Sequence, residues 1–329
     1  MIILVTGAFG FVGRHLVKAL RQRLPATSRI VPVGRGNTAV GAPDIEAVNI
    51  DITDAVAIDD LITTLQPTHV LHLAARSSVQ QAHNAGVATY EANVTGTLVL
   101  AAAMRRHVPG ARMIFASTGE IYGRAFASGD HLKESSSVYP ANSYARSKFS
   151  AEIALQDALA DVCPVIALRL LNHTGAGQDE RFVVPSFAAQ VARIEAGLVA
   201  PVVRVGNLTA ERDFLDVADV VDAYVLALKL ADNAKGYQLF NVASGIPRSI
   251  ASVLDSLRVL SRVSFAIEED PDRMRPSDIP RAVCDAGSFK DATGWAPTRE
   301  WSTTLSNVLD SWRDTCGAKT GKPSAGFGR

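Results

Sequence analysis

Short runs rich in apolar and β-branched residues alternate with longer stretches of helical periodicity through the first half of the chain. The runs are IILVT at the N-terminus, then RIVPVG, HVLHLAA, RMIFAS and PVIALRL. Strands separated by helix-length segments predict parallel pairing through crossover helices, so the expected fold is α/β, with a doubly wound parallel sheet of Rossmann type. The stretch Val94 to Met104, VTGTLVLAAAM, is apolar around nearly its whole helical circumference. One face can pack on the sheet while another meets a second surface, and a homodimer contact is the expected use. After Arg169 the pattern loses its regularity: Gly, Pro and charged residues mix through NHTGAGQDERF and PVVRVGNLTAERDF before helical periodicity returns near Val217 to Leu230. This predicts a smaller, discontinuous substrate-binding lobe. Residues 1–169 plus about 213–236 are expected in the Rossmann domain, and about 170–212 and 237–329 mainly in the lobe.

Composition narrows the classes of partner. With 329 residues and 47% apolar content, the chain can bury a large core. Lys plus Arg equals Asp plus Glu at 33 each. No long-range field therefore draws nucleic acid or an anionic membrane, and an anionic ligand must be gripped locally. Cys163, Cys284 and Cys316 are odd in number and widely spaced, with no metal-ligand pattern. They fit buried thiols in a reducing, cytoplasmic setting, and no metal is expected. The apolar start has no basic n-region and is punctuated by Gly and Thr, so it reads as strand and turn rather than a signal peptide. No apolar run is long enough to span a bilayer.

The first chemical motif is TGAFGFVG, which places Gly7, Gly10 and Gly13 directly after the first strand and at the opening of a helix. Gly7 allows a tight turn, Gly10 a close backbone approach to a pyrophosphate, and Gly13 close helix packing, with the phosphates at the helix N-terminus. Phe9, Phe11 and Val12 fill the same cofactor-binding turn. About 20 residues further on, where an acid would bind the ribose hydroxyls of NAD, the sequence reads VPVGRGN. With Arg35 there to meet a 2′-phosphate, NADP(H) is expected, with NAD(H) as the alternative. The competing reading of Arg35 is a solvated loop arginine. Asp51, in NIDITD, is placed to accept from an adenine amino group or to cap the next helix.

Tyr144 and Lys148, in SYARSK, stand at i, i+4 and so share one face of a predicted helix. An ammonium near a phenol lowers its pKa and makes proton exchange with a substrate oxygen feasible.

Taken in order, TGAFGFVG, NIDITD, HLAA, STGEIYG and YARSK resemble the extended short-chain dehydrogenase/reductase family over nearly the whole chain. The resemblance implies a catalytic set of Thr118, Tyr144 and Lys148: Thr118 to hydrogen-bond the reacting oxygen, Tyr144 to exchange its proton, Lys148 to hold the nicotinamide ribose and tune Tyr144. It also implies cofactor contacts from Ile52 and from Leu73, Ala74 and Ala75 of HLAA, and a substrate contact from Ser77. NHTGAGQ, RVGNLTAERDFLDVADVV and RMRPSDIPR look like segments of the GDP-4-dehydro-6-deoxymannose reductases. By this likeness Asn172, Arg212 and Arg275 line a sugar-nucleotide site, with Phe182 and Arg204 further along its wall. Arginine forks suit a diphosphate on a neutral protein. Ion pairs of Arg212 with Asp213, or of Arg275 with Asp278, are the structural alternative. His173 is expected to be structural.

Glu120, two places after Thr118, decides between chemistries. A reductase spends NADPH on a 4-keto group and needs only a proton for oxygen. A GDP-mannose 4,6-dehydratase needs a base for a carbon-bound proton, and Glu120 stands where such enzymes carry a glutamate. A non-catalytic nucleotide-binding regulator is the third reading, and the combined presence of Thr118, Tyr144 and Lys148 opposes it.

Overall fold

The computed structural model describes residues 1–36, 47–77, 85–274 and 279–320. Six strands follow one another into a single sheet: β1 (Ile2–Thr6), β2 (Arg29–Gly34), β3 (Val48–Asn49), β4 (His69–His72), β5 (Arg112–Thr118) and β6 (Val165–Leu170). Three more, β7 (Asn172–Thr174), β8 (Val202–Val205) and β9 (Glu211–Asp216), lie outside it, and β10 (Tyr237–Val242) returns to it. The seven strands run parallel in the order β10-β6-β5-β4-β1-β2-β3. The order reverses between β1 and β4, and ligand crevices of open α/β sheets form at such a point, beyond the carboxyl ends of the strands.

The helices are α1 (Phe11–Arg23), α2 (Ala55–Leu65), α3 (Gly86–Tyr90), α4 (Gly96–His107), α5 (Ser143–Leu159), α6 (Val183–Glu195), α7 (Val217–Ala231), α8 (Ile250–Leu260), α9 (Gly287–Thr293) and α10 (Trp301–Thr320). Strand alternation divides the core around the sheet: Ile3 and Val5 pack with α1 and α7, while Leu4 packs with α2, α4 and α5. Both faces are covered, which is why the strands read as continuous apolar runs rather than alternating ones.

A third core, from α6, α8 and α10 with Val203, Val205 and Phe214, holds the lobe together. Its sheet combines β11 (Pro247–Ser249), β9 and β13 (Arg281–Ala282), with β7 beside β9, while β12 (Ala266–Glu269) pairs with β8.

The structure moves two boundaries of the expected lobe. Residues 213–216 continue β9 and belong to the lobe sheet, whereas 237–242 form β10 of the Rossmann sheet. The open edge of β6 takes a parallel partner there, satisfying backbone groups that would otherwise face solvent. Phe289 and Trp295 likewise pack into the core shared with α7. The helix expected from Val94 begins as a π-turn over Glu91–Thr95 and becomes regular at Gly96. A Cβ on Gly96 would lie 2.6 Å from the Ile52 side chain, so glycine there lets α4 close over the loop that carries Asp51 and Ile52.

Candidate active site

A cleft of about 1350 Å³ opens at the switch point between β1 and β4, between the sheet and the lobe. Every site residue expected from the sequence lines it except Arg275, which lies outside the described residues. Gly7 sits at φ 70°, and a Cβ there would come 2.6 Å from the Ala74 backbone nitrogen. A Cβ on Gly13 would approach the Gly7 carbonyl to 2.3 Å, so the turn closes only with glycine at both places. Gly10 leaves the start of α1 bare. This is the cradle that a dinucleotide diphosphate needs.

Phe9 packs against Gly34 at the end of β2, and Phe11 stacks on His173, ring to ring at 6.3 Å. His173 Nδ1 is 2.9 Å from the Leu171 carbonyl, which supports its structural reading. The expectation of Arg35 as a solvated arginine or a free phosphate ligand changes in detail: its Nη1 donates to Asp51 at 3.0 Å. Asp51 also accepts from the amide and hydroxyl of Thr53, which holds its carboxyl below the usual range. The helix that follows is capped by Asp54, so Asp51 is not its cap.

The STG segment ends β5, and its Thr118 hydroxyl caps the following turn by accepting from the Glu120 amide at 3.2 Å. Thr118 lies beside the Tyr144 phenol and opposes the rise in its pKa. Asn142 caps α5, accepting from the Ala145 amide at 2.8 Å, and this cap sets Tyr144 and Lys148 on the cleft-facing turn. Its Nδ2 reaches Glu120 at 3.5 Å, and Glu120 is close enough to Arg212 to favour that arginine's charge. Asn142 was missed in the sequence, although an Asn three residues before Ala145 at a helix start is a cap signal.

Lys148 is 2% exposed with its ammonium 4.0 Å from the Phe115 ring centroid, and burial brings its pKa down to about 7. Tyr144 departs from expectation. Burial, aided by the nearby Glu120 charge, pushes its phenol up to about 12, against a smaller downward pull from Thr118. Desolvation of the phenol dominates that balance.

On the lobe side, Asn172 opens β7 and Phe182 precedes α6. Arg212 Nη1 donates to the Glu211 carbonyl at 2.7 Å. Asp213 does not pair with it: fully buried, it accepts from Ser244 and Gly245 on the other side of the strand. Arg204 is exposed, 4.0 Å from Glu268. Arg273 also lines the cleft, donating to Asp270 at 3.2 Å and to Ser186 at 3.1 Å, and had not been singled out.

Similarity to known proteins follows the same outline. Residues 3–243 match the NAD dependent epimerase/dehydratase family. The GDP-6-deoxy-D-mannose reductase of Pseudomonas aeruginosa is 32% identical, with 94% of this chain and 96% of that protein covered. A UDP-glucose 4-epimerase from Yersinia pestis is 28% identical over 91% of this chain and 94% of its own. Among solved structures, the P. aeruginosa protein RMD complexed with NADPH superposes with a TM-score of 0.83 at 30% identity, covering 95% of this chain and 99% of that one. With the glycine turn, the switch-point cleft and the Tyr144–Lys148 pair in place, the chain belongs to the NAD dependent epimerase/dehydratase family.

Proposed function

We propose that the protein is an NADPH-dependent reductase of the 4-keto group of a GDP-linked 6-deoxyhexose, acting in nucleotide-sugar biosynthesis and forming a GDP-rhamnose-type product. The carrying observation is that Thr118, Tyr144 and Lys148 line one cleft together with the glycine turn. NADPH, when bound, supplies the hydride for C4. Thr118 holds the carbonyl oxygen, and Tyr144 delivers its proton to that oxygen as the alkoxide forms. A phenol raised to about 12 is fully protonated at neutral pH and so is loaded for donation. Lys148 holds the nicotinamide ribose hydroxyls, and a bound hydroxyl network favours its charged state. Arg35 turns from Asp51 towards the 2′-phosphate, which gives the preference for NADP(H) over NAD(H).

Arg212, with Asn172, Phe182, Arg204, Arg273 and Ser77, forms the sugar-nucleotide wall. Glu120 faces Asn142 and Arg212, as expected of an orienting carboxylate rather than a carbon base. We read the working unit as a homodimer, since Val87, Tyr90 and Leu98 of the α3–α4 segment and Ile153 of the adjoining α5 expose apolar side chains. Cytoplasmic action fits three unpaired thiols.

The test uses two parallel reactions: GDP-mannose without added NADPH, and the GDP-linked 4-keto-6-deoxy sugar with NADPH. The reading expects NADPH oxidation in the second alone. Ketosugar formation in the first would replace it with the dehydratase.

A further inference from the structure

Six arginines line the described cleft, and five have an acid beside them. Arg35 meets Asp51, Arg181 meets Asp179, Arg204 meets Glu268, Arg273 meets Asp270, and Arg212 lies within the field of Glu120. Arg76 is the exception. Its Nε is sealed from solvent without an acceptor, and among the described residues no carboxylate pairs with its guanidinium.

The position of Arg76 is fixed from behind. Its backbone N–H donates to Asn93 Oδ1 at 2.7 Å, and its carbonyl accepts from Asn93 Nδ2 at 3.3 Å. Asn93 is fully buried in the π-turn, and the same Nδ2 donates at 2.9 Å to Ser147, a neighbour of Lys148 on α5. An asparagine thus clamps both backbone polar groups of Arg76 and leaves its side chain to the cleft. Arg76 follows by two residues the Ala74 nitrogen against which Gly7 closes. At about 3.8 Å per residue, its long side chain is within reach of a diphosphate held at the glycine turn. Ser77, next in the chain, lines the same cleft.

A guanidinium drawn partly out of water without a counter-charge is costly, and an anion arriving in the cleft relieves that cost. We propose that Arg76 is a binding residue for a diphosphate ligand of the cleft. The planar fork suits phosphate oxygens, and the Asn93 clamp holds it ready without an internal acid to displace. Two ligands carry this chemistry: the dinucleotide cofactor and the sugar nucleotide. The inference rests on the reading of the cleft as a site for both.

Arg76→Gln removes the charge and keeps both backbone bonds to Asn93, while Arg76→Lys keeps the charge and loses the fork. Calorimetry of each folded variant and the parent with NADPH, and separately with GDP, reads the effect. The Gln variant is expected to lose affinity for one ligand on the order of tenfold, the Lys variant less, and the loss should shrink in high salt. Loss confined to NADPH assigns the contact to the cofactor; loss confined to GDP assigns it to the sugar nucleotide. Parent-like affinity of the Gln variant for both overturns the inference and leaves the proposed function standing. A parent that binds neither nucleotide overturns both.

Discussion

On the sheet side of the cleft the proposed reacting groups stand on buried polar scaffolding, whereas on the lobe side the proposed ligand-facing residues Arg204 and Arg273 stand in surface ion pairs. Behind Tyr144 and Lys148 lie Asn93, Ser147, Glu152 and Arg169, all buried, with Glu152 and Arg169 paired at 2.8 Å. Across the cleft, Arg204 keeps a side chain 59% exposed, and Arg273 keeps 41% beside Asp270. Exposed pairs of this kind contribute about 0–1 kcal/mol and rearrange at little cost. Breaking a buried pair costs about 3–5 kcal/mol, because it strands a charge. One wall is set before ligand arrives, and the other can adjust to it. Substitutions on the first should damage the chemical step, while those on the second should damage affinity.

Tyr144→Phe is the strongest test of that division. Removing the phenolic proton while keeping the ring should lower kcat by roughly 10²–10⁴-fold and leave the dissociation constant of NADPH near the parent value. Stopped-flow turnover alongside a cofactor titration reads both. Matching losses in the two would show that Tyr144 shapes the site instead of reacting in it.

Lys148 extends the test to stability. In the ligand-free fold its pKa is about 7, against 10.5 for an ordinary lysine. Between those values the unfolded chain binds the additional proton, so this group makes stability rise as pH climbs from 7 to 10.5; below 7 its full cost is present. The effect is on the order of a few kcal/mol. Denaturant unfolding at pH 6.5 and 9.5 should show a larger gain for the parent than for Lys148→Met. Equal gains would mean the ammonium is hydrated.

Legibility in the sequence divides along the same line. Gly7 with Gly13, and Tyr144 with Lys148, are readable because their geometry follows from short spacings on one turn or helix, whereas Thr118 comes only from the family resemblance of STGEIYG. The upward shift of the Tyr144 phenol was not readable, because desolvation is a property of the assembled cleft. Nor was the Arg35–Asp51 pair, which joins the ends of β2 and β3 after folding. Strand β10 escaped because YQLFNV mixes polar with apolar positions, as a half-covered edge strand can. Arg273 ends the single turn Pro271–Arg273 that follows β12, where no local period marks it.

Within the lobe wall the comparison sharpens between two arginines. Arg212, half-buried near Glu120, should cost about 1.5–3 kcal/mol of GDP-sugar affinity when replaced by Ala, as a charge-assisted contact does. Arg204→Ala, at an exposed position, should cost about 0–1 kcal/mol. Both should leave kcat at saturating sugar close to the parent. Calorimetry ranking Arg204 above Arg212 would move the diphosphate outward along the wall.

Glu120 lies where the two walls meet, so its replacement should have the smallest effect on reduction. It extends from the Thr118 turn on the sheet side, yet its carboxylate reaches Asn142 and the field of Arg212. Reduction of a ketone requires one proton, delivered to oxygen, and Tyr144 is its proposed donor; elimination would require a further group to take a proton from carbon. Glu120→Gln keeps the size and the hydrogen-bonding capacity and removes the charge. NADPH-dependent reduction should therefore stay within about tenfold of the parent, a change of at most ~1.4 kcal/mol in the barrier. The residual loss should appear in KM for the sugar nucleotide, because an Arg212 no longer balanced by a carboxylate is reoriented at the diphosphate. A loss in kcat comparable to that of Tyr144→Phe would place Glu120 among the proton-transferring groups and join the two walls into one catalytic unit.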